Sequence, residues 1–559
     1  MAGTSIPPSS ALDQNTQMFP ALTAAQIERI RPLATLRHVE PGDTLFKPGD
    51  EHVPFFVVLS GSLEIIQPSS LRDPLLATHN AGNFTGEITT ISGQRCFVLG
   101  RVSAAGEFLE LSHDHFRALI ARDAELSEVF MRAFILRRMA LISSGKGNVI
   151  LLGSRHSAGT LRLREFLGRN GYPYSYSDLE TDHSSQDLLD RFNVTADQIP
   201  VTICNGLVVL RNPSIPELAD CLGLNVSVDE TAVRDLIIVG AGPSGLAAAV
   251  YAASEGLDAL LLETDTPGGQ AGSSSKIENY LGFPTGISGQ ELTGRALTQA
   301  LKFGAHMIVA RSAVRLNCDR RPYKVILDDG TTLAARTILI ATGAQYNKPP
   351  IPNLSRFEGL GIYYGATHIE SQMCSGEDVI VVGGGNSAGQ AAVYLSQTAK
   401  KVYMLVRSAQ LTETMSRYLI RRIEENPCIE LHYNTEIAGI EGNAQLERVT
   451  WQNKATGELS TRDIRHVFVM TGASPKTQWL QGCLALDNKG FILTGRDLDP
   501  VALQAAGWPL TRPPQMLETS LQGVFAVGDV RSGNIKRVAS AVGEGSMAIS
   551  LVHRSLTEL

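Results

Sequence analysis

Two glycine-rich turns, each between an apolar strand and a helix, are the parts of this sequence best suited to binding phosphate. The first, Gly240-Ala241-Gly242-Pro243-Ser244-Gly245, follows the strand Leu236-Ile237-Ile238-Val239 and precedes an alanine-rich helix. In such a turn the first glycine permits the bend, the second admits a pyrophosphate and the third lets helix and strand pack closely. The next strand ends in Glu263, whose carboxylate is placed to accept hydrogen bonds from an adenosine ribose. This order of elements predicts a dinucleotide site.

The second turn repeats the arrangement further along the chain. The strand Val379-Ile380-Val381-Val382 leads into Gly383-Gly384-Gly385-Asn386-Ser387-Ala388 and a helix, and the following strand ends in Arg407. An acid at that position favours NAD, whereas a cation suits the 2′-phosphate of NADPH. NADPH is therefore predicted, NADH stays open, and a solvated surface charge is the alternative interpretation of Arg407. The same two interpretations apply to Arg417, Arg421 and Arg422.

Two further strands end in residues that suit a nucleotide site. The strand from Thr337 runs into Ala341-Thr342-Gly343, and Val524-Phe525-Ala526-Val527 runs into Gly528-Asp529. Asp529 is placed to bond a hydroxyl of a flavin side chain, or alternatively to cap a helix.

These stretches together resemble a low-molecular-weight thioredoxin reductase over the region from about Asp235 to Leu559. Further matches are Gly268-Gly269-Gln270 and Ile277-Glu278-Asn279-Tyr280. The resemblance implies an FAD domain interrupted by an NADPH domain, and a homodimer. The predicted FAD contacts are Gly240, Gly242, Pro243, Ser244, Gly245, Glu263, Gly269, Gln270, Asn279, Thr342, Gly343, Asp529, Lys536, Arg537 and Val538. The predicted nicotinamide contacts are Gly383, Gly385, Asn386, Ser387 and Arg407.

The redox cysteines of that family are absent. Gly365-Ala366-Thr367-His368 stands where the family carries CxxC, and no CxxC occurs anywhere in the chain. Cys374 lies nearby, but one thiol cannot form an internal disulfide. His368 could donate a proton near a flavin or could simply fill the vacated space, so no catalytic residue is assigned.

The residues from about 144 to 230 resemble a thioredoxin or glutaredoxin domain. Pro200 precedes a strand, as the cis-proline of that family does, and Asn205-Gly206 predicts a tight turn after it. The family's CxxC position is held by Ser157-Ala158-Gly159-Thr160, which cannot cycle as a disulfide.

The N-terminal residues resemble a cyclic-nucleotide-binding β-roll. The resemblance rests on Pro41-Gly42-Asp43, a predicted hairpin through Ser60-Gly61-Ser62, and Phe84-Thr85-Gly86-Glu87 followed by Arg95. By resemblance, Glu87 holds the ribose and Arg95 the cyclic phosphate. The interval between them is short, and Cys96 replaces the usual small residue. A β-roll kept as an interaction platform is the alternative.

The predicted fold class is multidomain α/β: a β-roll with helices, a thioredoxin-like domain and two Rossmann-like domains. The predicted domains are 1–143, 144–230, 231–352 (FAD, first part), 353–470 (nicotinamide) and 471–559 (FAD, second part). The net charge of −7 disfavours nucleic-acid binding. No secretory signal, membrane span or metal site is predicted, and seven scattered cysteines predict reduced thiols in the cytoplasm.

Three functions are consistent with these features. The first is a flavoenzyme that oxidises NAD(P)H and passes electrons to an external acceptor, such as a small redox protein, without an internal CxxC relay. The second is a redox- or nucleotide-sensing flavoprotein with little turnover, whose β-roll carries the output. The third is a reductase of thioredoxin disulfide that uses cysteines of a partner.

Overall fold

The computed structural model describes residues 16–67, 75–86, 90–91, 95–96, 98–143, 149–180, 195, 198–204, 208–225, 229–274, 277, 279–358, 360–366, 368–443 and 445–558. Contacts divide these residues into two compact units. The first draws on Met1–Ser154, Leu163–Val228 and Leu301–Val309, and the second on Arg155–Arg162, Asp229–Ala300 and Ala310–Leu559.

The described residues of the N-terminal region form a β-roll of short strands with helices. In chain order they are α1 (Ala24–Ile30), β1 (Thr35–Val39), β2 (Thr44–Phe46), β3 (Phe55–Val58), β4 (Ser62–Ile66), β5 (Leu75–His79), β6 (Leu99–Ala104), β7 (Gly106–Leu111), α2 (His113–Arg122) and α3 (Ala124–Ser143). The strands form two sheets, in the orders β1-β7-β3 and β2-β6-β4-β5. Phenylalanines fill the core beneath the helices, where the rings of Phe55 and Phe116 stack at 4.3 Å.

The predicted hairpin through Ser60-Gly61-Ser62 is wrong. The strand β3 pairs with β7, whereas β4 pairs with β5 and β6 in the other sheet. Gly61 has φ +83°, and a Cβ there would lie 2.5 Å from the Ala104 carbonyl oxygen. The turn therefore carries the chain from one sheet to the other instead of folding it back on itself.

The next domain is a mixed α/β unit. It comprises β8 (Val149–Gly153), α4 (Ala158–Arg169), β9 (Ser175–Asp178), β10 (Val201–Cys204), β11 (Val208–Arg211) and α5 (Ile215–Leu222). The sheet order is β11-β10-β8-β9, with β8 and β9 parallel and β10 antiparallel to both neighbours. The Ile199–Pro200 peptide bond before β10 is cis. The turn predicted at Asn205-Gly206 lies outside the described residues.

The first Rossmann-like domain begins with β12 and resumes at the end of the chain. Its elements are β12 (Val233–Val239), α6 (Pro243–Ser254), β13 (Ala259–Glu263), α7 (Gly269–Gly272), α8 (Gly289–Phe303), β14 (His306–Val309), β15 (Ala313–Asn317), β16 (Tyr323–Leu327) and β17 (Thr332–Ile340). Within the second unit, β12 pairs in parallel with β13 and β17, and β17 continues to β16 and β15. Four apolar residues of β12, Leu236 to Val239, are buried, as expected of a strand covered on both faces.

The second Rossmann-like domain is inserted after β17. Its elements are β18 (Ala344–Tyr346), β19 (Ile362–Tyr363), α9 (His368–Met373), β20 (Asp378–Val382), α10 (Asn386–Leu395), β21 (Lys401–Val406), α11 (Arg417–Glu424), β22 (Ile429–Tyr433), β23 (Thr435–Glu441), β24 (Arg448–Asn453), β25 (Leu459–Arg462) and β26 (His466–Val469). A parallel sheet has the order β19-β26-β20-β21-β22, and β23, β24 and β25 form an antiparallel sheet of their own.

The chain then returns to the first Rossmann-like sheet. The returning elements are β27 (Ala473–Pro475), α12 (Pro500–Ala505), β28 (Val524–Ala526) and α13 (Val538–Glu558). Strand β27 pairs with β18, so one two-stranded link marks where the chain leaves and re-enters the FAD domain, and β28 pairs with β17. The predicted fold class is confirmed. The four boundaries between the five predicted segments stay predictions.

The prediction that all seven cysteines are reduced is wrong for two of them. Cys318 and Cys483 form a disulfide, with Cα atoms 6.0 Å apart. Cys318 follows β15 and Cys483 lies after β27, so the bond joins segments separated by 165 residues. The five free thiols are Cys96, Cys204, Cys221, Cys374 and Cys428.

Candidate dinucleotide sites

The turn between β12 and α6 forms a cradle with little room for side chains. Gly240 has φ +106°, and a Cβ there would lie 2.4 Å from the Ala341 carbonyl oxygen. A Cβ on Gly245 would lie 1.8 Å from the Gly240 carbonyl oxygen. Gly242 is different, because the nearest atom to its hypothetical Cβ is the Gly269 Cα at 4.0 Å. The space beside Gly242 is therefore open, whereas a side chain on Gly240 or Gly245 would clash with a neighbouring backbone carbonyl oxygen.

The N-terminus of α6 faces this open space. Gly242 is its N-cap residue and provides no side-chain cap, and Pro243 occupies the first turn. Backbone N–H groups at an uncapped helix N-terminus have no acceptor within the helix and favour a bound anion. The oxygens of a pyrophosphate can accept hydrogen bonds from them. Ser244 is buried in the same turn, against Gly528, whose hypothetical Cβ would lie 2.7 Å from the Ser244 Oγ.

The short helix α7 borders the same space. A Cβ on Gly269 would lie 3.0 Å from the Gly242 Cα, so the two backbones approach closely. Gln270 Nε2 donates a hydrogen bond to the Ala344 carbonyl oxygen. Glu263 lies at the end of β13, where its carboxylate accepts hydrogen bonds from the Ala241 N–H at 2.7 Å and the Asp265 N–H at 3.0 Å.

The turn after β28 brings Asp529 to the cradle, and a residue not predicted from the sequence holds that turn. The Gly528 N–H donates to Glu544 Oε2 at 2.8 Å, and the other Glu544 oxygen is ion-paired with Arg531. Burial raises the pKa of the Asp529 carboxyl, the Glu544 carboxylate adds to this rise, and Lys536 opposes it. A half-buried carboxylate with a raised pKa is suited to gaining hydroxyl donors from a ligand.

The other predicted FAD residues lie at several places around this domain. Thr342 Oγ1 donates to the Lys476 carbonyl oxygen at 3.2 Å, and Gly343 has φ +63° with open space beside it. Asn279 is exposed. The Lys536 ammonium lies over the Phe491 ring, 5.2 Å from its centre, Arg537 is exposed, and Val538 begins α13.

The second glycine turn has the same construction. A Cβ on Gly383 would lie 2.3 Å from the Met470 carbonyl oxygen, whereas Gly385, the N-cap of α10, has nothing within 4 Å of its hypothetical Cβ. Asn386 Oδ1 accepts a hydrogen bond from the Ser416 N–H at 2.8 Å, which ties the turn to the loop before α11. Ser387 is exposed in the first turn of α10.

The arginines near this turn differ in their surroundings. Arg407 follows β21 and is exposed, as is Arg417 at the start of α11. Arg421 is ion-paired with Glu425 at 2.7 Å, and the Arg422 guanidinium lies over the Tyr418 ring. Arg407 is therefore exposed at the end of β21, the strand that follows α10.

The place of the missing CxxC borders the FAD cradle. A Cβ on Gly365 would lie 3.5 Å from the Ser273 Cβ and Oγ, and the Ser273 hydroxyl in turn bonds the Gln270 carbonyl oxygen. Thr367 and the side chain of His368 lie outside the described part of the structure. Cys374 is fully buried, and burial raises the pKa of its thiol to about 11.

The β-roll contains part of the predicted cyclic-phosphate cradle. Glu87 lies outside the described residues. The Arg95 Nε atom lies 3.0 Å from Glu51 Oε1, and both side chains are nearly half exposed. An exposed ion pair of this kind contributes about 0.2–1 kcal/mol.

Comparison with known proteins gives two family matches. The pyridine nucleotide-disulphide oxidoreductase profile matches residues 234–545, and the cyclic nucleotide-binding domain profile matches residues 36–123. The thioredoxin reductase of Bacillus subtilis (strain 168) is 31% identical over 333 residues, which are 59% of this chain and 98% of the relative. That of Mycolicibacterium smegmatis is 32% identical over 58% of this chain and 97% of the relative. The structure of Lactococcus lactis thioredoxin reductase in its FR conformation has a TM-score of 0.52 and 27% identity, over 58% of this chain and 100% of that one.

The fold and its two glycine cradles define an oxidoreductase with one flavin site and one nicotinamide site. The chain belongs to the pyridine nucleotide-disulphide oxidoreductase family, and thioredoxin reductases are among its relatives. FAD and NADPH are the cofactors of this family. The open spaces beside Gly242 and Gly385, each at an uncapped helix N-terminus, fit the pyrophosphates of these two groups. Among the described residues, no helix is both long enough and apolar enough to cross a membrane.

Proposed function

We propose that this chain oxidises NADPH and reduces an external acceptor without an internal cysteine relay. Bound FAD supplies the group that accepts hydride and releases electrons. The observation that carries the proposal is Gly365, a residue without a side chain, which stands beside Ser273 where the family has a redox thiol. Electrons then pass to the external acceptor directly from bound FAD, because no dithiol lies at this place to carry them.

The nearest free thiol in the sequence does not replace the missing pair. Cys374 is fully buried, its pKa is raised by burial, and the carboxylates of Glu377 and Glu370 raise it further. A thiol held protonated in an apolar core is a poor nucleophile. Cys374 is therefore a core residue of the nicotinamide domain.

We assign the FAD and NADPH contacts on the same grounds. The cradle of Gly240, Gly242 and Gly245 takes the FAD pyrophosphate, Glu263 takes the adenosine ribose, and Asp529 takes the flavin side chain. Gly383, Gly385 and Arg407 take NADPH. The open Gly242 and Gly385 positions, Asp529 and the exposed Arg407 support these assignments.

The class of electron acceptor that the protein reduces tests the proposal directly. Purified holoprotein is given NADPH together with a quinone, with ferricyanide or with the aromatic disulfide DTNB. The proposal predicts turnover with the first two and none with DTNB, and the Cys374→Ala variant should behave like wild type. Turnover with DTNB that is lost in Cys374→Ala would contradict it. Turnover only with an added redox protein in its disulfide form would favour reduction of a partner's disulfide.

We also propose that the β-roll binds a cyclic nucleotide. The exposed Arg95, held by one weak ion pair with Glu51, supports this proposal, as does the match of residues 36–123 to the cyclic nucleotide-binding domain. Calorimetry with cyclic AMP and cyclic GMP tests it. We expect a heat of nucleotide binding with the wild-type protein and none with Arg95→Ala. The same heat of binding in both proteins would exclude Arg95 from the site.

A cytoplasmic homodimer completes the proposal. The resemblance to thioredoxin reductases supports the dimer. The five free thiols support a reducing compartment, whereas the Cys318–Cys483 disulfide argues against it. Light scattering after size-exclusion chromatography should give twice the chain mass of 60.2 kDa. A single chain mass at micromolar concentration would rule the dimer out.

A further inference from the structure

The Cys318–Cys483 disulfide lies near the surface of the FAD domain. Both cysteines are partly exposed, and their neighbours Asp319 and Gly482 are exposed. A thiolate from another molecule opens a disulfide by attacking one of its sulfurs, so access from solution decides whether the bond exchanges. A reductant in solution therefore meets this bond without unfolding the protein.

A short hairpin, residues 485–493, begins just after the disulfide, and we call it the clasp hairpin. The Leu493 N–H donates to the Ala485 carbonyl oxygen at 3.1 Å and so closes its base. The Ala485 N–H in turn donates to Ser520 Oγ at 2.9 Å. At the entry to the hairpin, the disulfide attaches Cys483 to the segment that follows β15.

The clasp hairpin holds the chain directly after Asp529. The Ile492 N–H donates to the Val530 carbonyl oxygen at 3.0 Å, and the Ser532 N–H donates to the Ile492 carbonyl oxygen at 2.9 Å. The Ser532 hydroxyl also donates to Asp487 Oδ2 at 2.9 Å. Three hydrogen bonds thus join the hairpin to the turn that carries a predicted flavin ligand.

Lys536, a second predicted flavin contact, meets the same hairpin. Its ammonium lies over the Phe491 ring, 5.2 Å from the ring centre. The clasp hairpin therefore contacts both the Asp529 turn and the Lys536 stretch, and a movement of the hairpin disturbs both.

Reduction replaces the covalent bond at the hairpin entry by a weaker contact. The disulfide joins residues 165 apart in the sequence, and such a cross-link removes conformational freedom from the chain. The Cys483 sulfur lies 3.3 Å from the Leu316 carbonyl oxygen, which can accept a weak hydrogen bond from the reduced thiol. This contact keeps the cysteine near its partner for reoxidation, but it holds the hairpin less firmly than the disulfide does.

We propose that the Cys318–Cys483 bond is a redox switch on FAD retention, opened by an external dithiol. One thiolate of the dithiol attacks one sulfur of the bond, and the other cysteine leaves as a thiolate that takes a proton from water. The second thiol of the reductant, as its thiolate, then attacks the mixed disulfide, and the remaining cysteine leaves and is protonated. One protein disulfide and one dithiol thus become two protein thiols and one cyclic disulfide.

This inference rests on the proposed assignment of Asp529 and Lys536 to FAD, and it goes beyond the proposed function by giving the site a control. It does not depend on the electron acceptor, because the two cysteines carry no electrons from NADPH. The closed bond holds the clasp hairpin on the flavin turn, and the open bond lets FAD leave faster.

The test uses full-chain holoprotein with and without dithiothreitol. Differential alkylation and mass spectrometry should show that dithiothreitol opens the Cys318–Cys483 bond in the folded protein. FAD release, followed by the rise in flavin fluorescence, should become about tenfold faster on reduction. Hydrogen exchange of peptides that cover residues 485–493 should also become faster, a readout that needs no turnover.

Variants supply the controls. The double variant Cys318→Ser/Cys483→Ser should release FAD at the fast rate and should not respond to dithiothreitol. Cys428→Ser, which removes a partly exposed free thiol, should respond as wild type does. The proposal is overturned if wild type releases FAD at the same rate with the bond open and closed, or if dithiothreitol leaves the bond closed. Both of these readings use wild-type protein and hold even if a variant fails to fold.

Asp529→Asn separates failure of the switch from failure of the FAD assignment. Normal FAD retention in Asp529→Asn would remove the assignment and the proposal with it. Weak retention in Asp529→Asn, combined with no effect of reduction on FAD release in wild type, would overturn the switch alone.

Discussion

Glu544 on α13 holds the backbone of Gly528 by a 2.8 Å hydrogen bond and so fixes the turn that carries Asp529. The same carboxylate is ion-paired with Arg531, and both side chains of the pair are largely buried. A carboxylate sixteen residues along the chain, on the opposite side of the turn, thus sets the position of a predicted flavin ligand. Removing it leaves a buried guanidinium and a buried N–H without their acceptor.

Glu544→Gln is expected to lower stability by about 1–3 kcal/mol, the cost of leaving such groups poorly satisfied. Bound FAD per chain should fall with it, because glutamine keeps only one acceptor oxygen for the Gly528 N–H and the Arg531 guanidinium, so the Gly528–Asp529 turn is held less firmly. Thermal unfolding and the flavin absorbance of purified protein measure the two effects. The control is Glu291→Gln, which breaks an exposed pair with Arg295 and should change stability by less than about 1 kcal/mol. Equal changes in stability and in bound FAD in the two variants would show that Glu544 does not hold the Gly528–Asp529 turn.

Gly242 and Gly245 should respond differently to an added side chain. Gly242→Val should leave the fold intact but exclude FAD, because its side chain enters open space at the helix N-terminus. Gly245→Ala should disturb the fold itself, since its Cβ would meet the Gly240 carbonyl oxygen at 1.8 Å. Circular dichroism separates folding from flavin content. A Gly242→Val variant that still binds one FAD per chain would show that the FAD pyrophosphate does not occupy the space beside Gly242.

Much of this cradle could be predicted from the sequence because its signals are local. The turn from Gly240 to Gly245, its flanking strand and helix, and the acid Glu263 follow one another within a single βαβ unit. Glu544 was missed because its partner is reached only after α13 packs on the turn. The Cys318–Cys483 bond was missed for the same reason, since 165 residues separate its ends.

The β-roll shows where local sequence signals do not predict the fold. The Ser60-Gly61 turn between two apolar strands predicts a hairpin, because a local turn signal does not reveal which strand pairs with which. Tertiary packing placed β3 and β4 in different sheets.

Arg407→Ala should weaken NADPH binding about tenfold and leave NADH binding nearly unchanged. A charged hydrogen bond to the 2′-phosphate contributes about 1.5–3 kcal/mol, and NADH has no such phosphate. Steady-state KM values for the two nucleotides measure this. Arg421→Ala is the control, because Arg421 is already paired with Glu425. An equal loss for both nucleotides in Arg407→Ala would remove the 2′-phosphate assignment.

Asp529→Asn should stabilise the flavin-free protein at neutral pH while lowering FAD affinity about tenfold. Because the folded-state pKa of Asp529 is raised, its ionised form costs stability above the unfolded pKa of roughly 3.9. This loss of stability is largest at a pH above the folded-state pKa of Asp529. It disappears when the pH is below both the folded-state and the unfolded-state pKa. The extra stability of Asp529→Asn over wild type should therefore shrink in acid. Urea unfolding of the flavin-free proteins at several pH values measures it. An advantage that grows in acid would contradict the raised pKa.

The central claim, that electrons reach an acceptor without a cysteine relay, is tested most directly by anaerobic stopped-flow absorbance. Holoprotein is first alkylated with N-ethylmaleimide, then mixed with NADPH, and then with a quinone. The account predicts that NADPH bleaches the flavin band, that the quinone restores it, and that both rates match those of unalkylated protein. Bleaching without reoxidation, or turnover abolished by alkylation, would contradict it.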